Sequence, residues 1–298
     1  MNNNDWLFLK ILAEEKNVTK AAKRLFISQP AMTDKIKKLE KELNIPLVIR
    51  KPRGIEFTPE GNIVAQYAVK ALHDYDAMKE QLVNTSQDEI RGNLKIAVSN
   101  VFAKYMLPKL IMEFRKLYPL VDISFKTGIS QVVYQEFLCG DAHLAIARGT
   151  RIWGQIKHLI WRESVCLFSS APVDIEKLAG APFIKYQTDP SMQAVIDDWW
   201  FCHFHRRPNI IAEVDAMDTG LKMVEQGVGY AIFSESCAAE SSKLYSYPLT
   251  LTNGQVVYRD TWLYYRHGYE ENLALKAFIE YLLTKYPALE AKGSSYVP

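Results

Sequence analysis

Polar residues near the N-terminus have the types and spacing needed to bind nucleic acid. Residues 1–58 contain 12 Lys and Arg against 7 Asp and Glu, whereas the rest of the chain contains 24 against 27. A helix that begins near Gln29 would expose a set of polar side chains, namely Gln29, Thr33, Lys35, Lys37 and Lys38. Amides and hydroxyls can hydrogen-bond base edges, and ammonium groups can bind phosphates. The alternative is that the lysines only solvate one face of a helical bundle.

A second set of polar groups follows three predicted strands further along the chain. Ser99-Asn100, Thr127 to Ser130 and Arg148-Gly149 each fall where a strand is expected to end. Open α/β sheets bind ligands at this edge, where hydroxyls and backbone N–H groups suit an anion and Arg148 could clamp a carboxylate. We therefore predict a small organic acid as ligand of Ser99, Asn100, Thr127, Ser130 and Arg148. The alternative is that the hydroxyls cap helices while Arg148 forms a surface ion pair.

Motifs for catalysis and metal binding are weak in this sequence. No Gly-x-Ser-x-Gly, His-Glu-x-x-His or P-loop motif occurs, and Ser130 has no evident general base. We therefore expect that the protein is not an enzyme and binds no cofactor. Cys202-His203-Phe204-His205 carries possible metal ligands, but neighbouring positions on a helix point in divergent directions. We expect this segment to bind no metal and Cys202 to be buried.

The composition is that of a folded chain with about two domains. The 298 residues are 48% hydrophobic, which supports at least one sizeable core. The four cysteines form no Cys-x-x-Cys pair, so we expect reduced and mostly buried thiols. The sequence shows no signal peptide and no long apolar run, which predicts a cytoplasmic protein with no membrane partner.

The elements expected to position the basic residues are short helices. Residues 5–15 and 20–26 have helical apolar spacing, and Ser28 can cap a third helix that starts at Gln29 with Pro30 in its first turn. Two short helices that precede a basic third helix are the layout that inserts into a major groove.

A hairpin and a long helix are predicted next. Residues 47–58 alternate like a hairpin that would act as a wing on DNA, and its tip carries Arg50, Lys51 and Arg53. From Pro59 to about Gln87 the apolar residues keep helical spacing, and a helix this long usually needs a partner to cover its apolar stripe.

Residues 85–93 predict a hinge. Beyond it, two successive units of alternating strands and helices predict a parallel α/β sheet, and Gln187 and Thr188 follow a strand of the second unit.

The segment VTKAAKRLFISQPAMTDKIKKLEKELNIPLVIR, followed by GIEFTPEG, resembles the N-terminal signature of LysR-type transcriptional regulators. The family pattern implies DNA contacts from the recognition helix and the wing, through Ser28, Gln29, Pro30, Thr33, Lys35, Lys37, Arg50 and Arg53. Asp34 and Val48 depart from the pattern. Asp34 would either accept a hydrogen bond from cytosine or pair with Lys37 or Lys38.

The resemblance extends to the domain organisation. It implies an all-α winged helix-turn-helix at 1–58, a linker and dimerisation helix at 59–88, and an α/β, two-lobed effector domain like periplasmic binding proteins at 89–298. Lobe I is expected at about 94–161 and 268–298 and lobe II at about 162–267. The effector is expected between them.

The resemblance also implies partners. These are double-stranded DNA with a pseudo-palindromic operator, an organic-anion effector, further copies of the chain in a dimer or tetramer, and RNA polymerase. Arg148-Gly149, Trp153 and Trp199-Trp200 are loosely similar to the branch that contains citrate-responsive regulators. The rival class is a solute-binding module whose basic N-terminus contacts proteins, which the missing signal peptide disfavours.

Overall fold

The chain folds into an N-terminal helical domain, a long helix and a two-lobed α/β domain. The computed structural model describes residues 1–52, 54–84, 89–204, 206–238 and 243–287. Within these ranges, none of the helices combines the length and the apolar composition that a membrane crossing requires.

Three helices and a hairpin form the N-terminal domain, as predicted. They are α1 (Asn3–Glu15), α2 (Val18–Arg24), α3 (Gln29–Leu43), β1 (Val48–Lys51) and β2 (Gly54–Phe57), and α4 (Pro59–Asn84) follows. The side chains of Asn2, Asn17 and Ser28 each cap a helix by accepting a backbone N–H three residues further on. The inner faces of the helices share one core, which includes Leu9, Leu12, Ala21, Met32 and Leu39.

Hydrogen bonds around Thr58 join the hairpin to α3 and α4. The buried Thr58 hydroxyl donates to the Pro46 carbonyl at 2.7 Å and accepts the Gly61 N–H at 2.8 Å. Glu40 of α3 accepts the Leu47 N–H at 2.8 Å. A Cβ at residue 61 would lie 2.1 Å from the Leu47 carbonyl oxygen, so only glycine allows this approach. The recognition helix, hairpin and long helix are therefore held in one relative orientation.

One face of α4 packs on α1, and the other face remains open. Ala65 and Ala68 are buried, and the ring of Tyr67 lies 5.5 Å from that of Trp6. The exposed apolar residues of the helix include Ile63, Tyr67, Tyr75, Met78 and Leu82. The predicted hinge at 85–93 lies partly outside the described residues.

The C-terminal domain alternates strands and helices. Its first part contains β3 (Gly92–Ser99), α5 (Asn100–Tyr105), α6 (Leu107–Leu117), β4 (Val121–Gly128), α7 (Ser130–Leu138), β5 (Leu144–Arg148) and β6 (Ile156–Ser169). Its second part contains β7 (Pro182–Tyr186), α8 (Pro190–His203), β8 (Asn209–Val214), α9 (Met217–Glu225), β9 (Ala231–Ser234), β10 (Tyr245–Pro248), β11 (Tyr258–Tyr265) and α10 (Leu273–Lys285). Short 3₁₀ turns span Ile175–Gly180, Glu235–Ala238 and Tyr269–Glu271.

The sheets bring the predicted strand ends together. β4, β3 and β5 are parallel neighbours, so their carboxyl ends meet at one edge, but β11 and β6 continue this sheet antiparallel. The prediction of a parallel sheet therefore applies only to part of it. β6 runs on to pair with β9 and β10, while β7 and β8 form a parallel pair. β6 pairs with β11 at one end and with β9 and β10 at the other, so this strand joins the two lobes.

Three features of this domain were missed from the sequence. Helix α5 has only six residues, β10 has four, and β6 starts at Ile156 rather than near Ser164. Elements as short as α5 and β10 show too little apolar periodicity to be separated from loops, and residues 156–163 of β6 lack a regular apolar alternation.

Gly61→Ala is expected to destabilise the N-terminal domain by about 1–3 kcal/mol, because the added methyl group overlaps the Leu47 carbonyl oxygen. Urea unfolding followed by circular dichroism measures this loss. Gly154→Ala is the control, since a Cβ at residue 154 meets nothing within 4 Å. Equal stability of the two variants would show that the loop adjusts without cost.

Candidate functional site

The first turn of α3 presents polar groups to solvent. Gln29 and Pro30 are exposed, Thr33 is half-buried, and Lys37 is exposed one turn further along. The Ser28 hydroxyl accepts the Ala31 N–H at 3.3 Å, which starts the helix. The predicted groove-facing residues of α3 therefore share one accessible helix start.

Lys35 differs from its neighbours because its ammonium group pairs with Asp5 of α1. Asp5 is only 5% exposed and also accepts the Asn2 N–H at 2.7 Å. Burial raises the pKa of Asp5, but the hydrogen bonds from Lys35 and Asn2 outweigh it and hold the pKa below its ordinary value. A phosphate contact by Lys35 would have to compete with this ion pair, so Lys37 is the better candidate.

The hairpin exposes Arg50, whereas Lys51 pairs with Glu56 at 3.1 Å. Arg53 lies outside the described residues, so its predicted role is not placed by the structure. Asp34 is exposed and forms no ion pair with Lys37 or Lys38 in the described part of the chain. The carboxylate of Asp34 is therefore accessible, contrary to the expectation that it pairs with Lys37 or Lys38.

Six of the seven predicted effector-contacting residues line one cavity between the two lobes. They are Ser99, Asn100, Ser130, Arg148, Gln187 and Thr188. The cavity has a volume of about 510 Å³, and its walls are the carboxyl ends of strands from both lobes. Such a volume lies within the range of small-molecule sites.

Thr127 is the exception, and its assignment to the cavity is corrected. Its side chain is exposed on β4, and Gly128 and Ile129 line the cavity instead. Successive side chains of a strand point to opposite faces, so the position at the strand end did not decide the direction.

Arg148 occupies a buried site rather than a surface ion pair. It is 7% exposed, and its guanidinium donates to the Glu163 carboxylate and the Ser234 hydroxyl. The second oxygen of Glu163 accepts the Ser236 N–H at 2.8 Å. The charge of Arg148 is thus already neutralised, although its Nε has no hydrogen-bond partner among the described residues. The expected clamp on a ligand carboxylate can use only the remaining edge of the guanidinium.

A second buried arginine lines the cavity and was not predicted. Arg259, at the start of β11, is 4% exposed and donates to both oxygens of Asp189 at 2.7 and 2.8 Å. Burial raises the pKa of Asp189, but the charge of Arg259 and hydrogen bonds from Ser191 and Met192 lower it below its ordinary value. No local pattern links residues 70 positions apart, so the sequence held no signal for this pair.

The mouth of the cavity carries Lys104, Asp215 and Asp218. Lys104 on α5 pairs with Asp218 on α9, which connects the two lobes. Asp215 follows directly after β8, so the rule that located Ser99 and Arg148 at strand ends could also have identified it. Lys104 carries no such signal, because α5 itself was not predicted.

The tryptophans that suggested a citrate-type branch lie away from the cavity. Trp153 packs on Tyr134 and Phe137 in lobe I, and Trp199 and Trp200 are buried in the core of lobe II. Their position means that they pack the lobes rather than contact an effector.

The cysteines are all free, and Cys166 and Cys237 are buried as expected. Cys202 is exposed, contrary to the prediction, because the buried face of α8 is occupied by Trp199 and Trp200. His205 lies outside the described residues. Within the described ranges, no group of three or more His, Cys, Asp or Glu side chains could hold a metal ion.

Asp189→Asn is expected to destabilise the protein by about 3–5 kcal/mol at pH 7, because it leaves the buried charge of Arg259 unpaired while keeping a competent helix cap. The folded pKa of Asp189 lies below its ordinary value of 3.8. The stabilisation is therefore present above that value and is lost as the pH falls through the folded pKa. Urea unfolding at pH 7 and at pH 3 measures both effects.

The control for this substitution is Asp174→Asn, in an exposed cap that pairs with Lys177 at 3.1 Å. It should cost much less stability than Asp189→Asn, since exposed ion pairs contribute little. Similar losses in both variants would show that the pair with Arg259 adds nothing beyond the cap.

Comparison with known proteins gives two family matches that together cover most of the chain. Residues 4–62 match the bacterial regulatory helix-turn-helix protein of the lysR family, and residues 87–287 match the LysR substrate binding domain. The chain is 40% identical over 282 residues to the HTH-type transcriptional regulator YraN of Bacillus subtilis (strain 168), covering 95% of this chain and 97% of that protein. It is 31% identical to YkuM of the same organism, covering 91% and 93%.

Solved structures show the same architecture along the whole chain. A full-length variant of OxyR from Pseudomonas aeruginosa superposes with a TM-score of 0.65 at 18% identity, covering 98% of this chain and 99% of that one. Full-length CbnR in complex with its target DNA superposes with a TM-score of 0.56 at 20% identity, covering 95% and 99%. YraN and YkuM are transcriptional regulators, which agrees with the expectation that the chain is not an enzyme. The chain belongs to the LysR family of DNA-binding transcriptional regulators, with an N-terminal helix-turn-helix domain and a two-lobed C-terminal effector-binding domain.

Proposed function

We propose that this regulator binds a pseudo-palindromic operator as a dimer or tetramer and that a small organic anion in the interlobe cavity controls it. The observation that carries the proposal is the convergence of six polar residues, from separate segments of both lobes, on one cavity. The effectors to test are citrate, other di- and tricarboxylates, aromatic acids and amino acids.

The cavity offers hydrogen-bond donors that the protein does not use. The Ser99 hydroxyl is 2% exposed and has no partner among the described residues. An unpaired buried hydroxyl is costly, and a ligand oxygen would satisfy it. The N-terminus of α7 and Arg148 belong to the same wall, and the buried Nε of Arg148 has no hydrogen-bond partner among the described residues. These groups support an acceptor, such as a carboxylate, at lobe I.

Assembly is proposed to use α4. Its exposed apolar residues lie along a helix of 26 residues that extends from the DNA-binding domain. Pairing two such helices would cover this stripe and place two α3 helices on adjacent half-sites. Association of dimers into a tetramer and contact with RNA polymerase are further parts of the proposal.

A direct contact supports coupling between the cavity and the DNA-binding domain. Helix α7 begins at Ser130, whose hydroxyl accepts the Arg148 N–H at 3.0 Å beside the cavity. The turn after α7 reaches the N-terminal domain, where Lys10 of α1 pairs with Asp141 at 2.7 Å. An effector that binds one lobe arrangement more tightly would move this anchor and favour one spacing of the DNA-binding domains.

Gln29→Ala is expected to weaken binding to the operator by about 1–3 kcal/mol while leaving binding to random duplex unchanged, because an amide reads base edges. Arg50→Ala should weaken both and reduce the salt slope by about one unit, because it contacts phosphate. Fluorescence anisotropy on an operator selected from a random duplex pool measures both.

The matched control is Lys116→Ala on α6, an exposed basic residue outside the DNA-binding domain. It should change neither affinity. Equal losses of Gln29→Ala on operator and random duplex would remove that side chain from base recognition.

A carboxylate effector is expected to raise the thermal unfolding midpoint of the full-length protein increasingly as its concentration rises. Ser99→Ala should weaken this effect without destabilising the free protein, since it removes a hydroxyl that has no partner among the described residues. Thr127→Ala, an exposed hydroxyl outside the cavity, is the control. If no carboxylate in a panel of mono-, di- and tricarboxylates and amino acids stabilises the protein, the anion proposal fails.

A further inference from the structure

We infer that the effector is a zwitterion, a compact molecule with one carboxylate and one ammonium group such as an α-amino acid. This inference rests on the proposed function, since it concerns the same cavity, and it adds a cationic group to the proposed anion. Its carboxylate would lie at Ser99 and Ser130 of lobe I, and its ammonium group at Asp215 of lobe II.

The first argument is the charge balance of the cavity. Each cationic side chain among the described lining residues already has a carboxylate partner: Arg148 has Glu163, Arg259 has Asp189, and Lys104 has Asp218. Among the charged lining residues that the structure describes, Asp215 alone has no ion pair. A plain anion would therefore enter a cavity without an unneutralised cation and would add to its negative charge. That cost grows with each further carboxylate, so citrate is disfavoured.

The second argument is the separation of donors from acceptors. Lobe I contributes the unpaired Ser99 hydroxyl and the edge of the Arg148 guanidinium, which suit a carboxylate. Lobe II contributes Asp215 and Asp218 just before and within the first turn of α9, which suit an ammonium group. A ligand that carries both a carboxylate and an ammonium group can meet the donors of lobe I and the acceptors of lobe II, whereas an anion can satisfy only one of these two sets.

The third argument is the apolar part of the lining. Val101 faces the cavity from lobe I, and Met192 and Met217 face it from lobe II. These side chains provide a contact for a small apolar or mixed side chain, and the flexible methionines can adapt to its shape. The volume of about 510 Å³ leaves room for such a side chain beside the two charged groups.

The arrangement also explains how a zwitterion could bias the lobes. Lys104 and Asp218 connect the lobes in the free protein. An ammonium group beside Asp215 and Asp218 would weaken the hold of Asp218 on Lys104, while the carboxylate takes a new contact on lobe I. The ligand would replace one interlobe connection by another, which is the differential interaction that a switch requires.

The test uses isothermal titration calorimetry of the full-length protein with matched pairs. Each α-amino acid is compared with the same acid lacking the amine, such as leucine with 4-methylpentanoate, glutamate with glutarate and aspartate with succinate, and citrate is included. We expect at least one amino acid to bind about tenfold or more tightly than its partner acid. Asp215→Asn should lower that affinity by roughly 10- to 100-fold and leave the partner acid unchanged.

Glu213→Gln is the matched control, because this exposed acid on β8 pairs with Lys185 at 3.6 Å and does not line the cavity. It should leave amino-acid binding unchanged. If an acid and its amino counterpart bind equally and Asp215→Asn changes neither, the zwitterion is overturned while the anionic effector stands. If neither the acids nor the amino acids bind, both the zwitterion and the proposed anionic effector are overturned.

Discussion

Compensation of buried charge at the centre of the α/β domain is the constraint on which the cavity depends. Arg148 and Arg259 are each less than a tenth exposed, and a buried guanidinium without a partner would cost several kcal/mol. Glu163 on β6 and Asp189 at the start of α8 supply the partners. Each pair joins an end of one strand to another segment, and Arg148 also reaches Ser234 at the end of β9. The strand ends that form the cavity walls are therefore tied together by these charges.

The same requirement to satisfy polar groups shapes the DNA-binding half. Glu40 accepts a backbone N–H of the loop before the wing, and Thr58 bonds both that loop and the start of α4. Asp5 takes the ammonium group of Lys35, whereas Gln29 at the helix start and Arg50 on the wing remain exposed. Hydrogen bonds within the domain thus select which polar side chains remain available for DNA.

The two halves of the chain meet at contacts between the turn after α7 and the helices α1 and α4. Helix α7 spans from the cavity wall at Ser130 to the turn where Asp141 pairs with Lys10, and a Cβ at Gly140 would lie 2.8 Å from Val69 of α4. Packed interiors do not deform continuously, so a shift of lobe I must be taken up at such contacts. The pair between Lys104 and Asp218 connects the lobes at the mouth of the cavity.

The sequence by itself determined the elements whose causes are local. Ser28 and Pro30 predicted the start of α3 at Gln29, and the position of Ser99, Ser130 and Arg148 at strand ends predicted one shared edge, because capping, proline geometry and parallel pairing act within a few residues or by a general rule. Only the tertiary structure decided which of these groups are free. Lys35 is held by a residue 30 positions away, and Arg259 by one 70 positions away. Thr127 was misplaced because β4 is the edge strand of its sheet and residues 124–127 are all exposed. Ion pairs and side-chain direction depend on distances through space, which no local pattern of residues records.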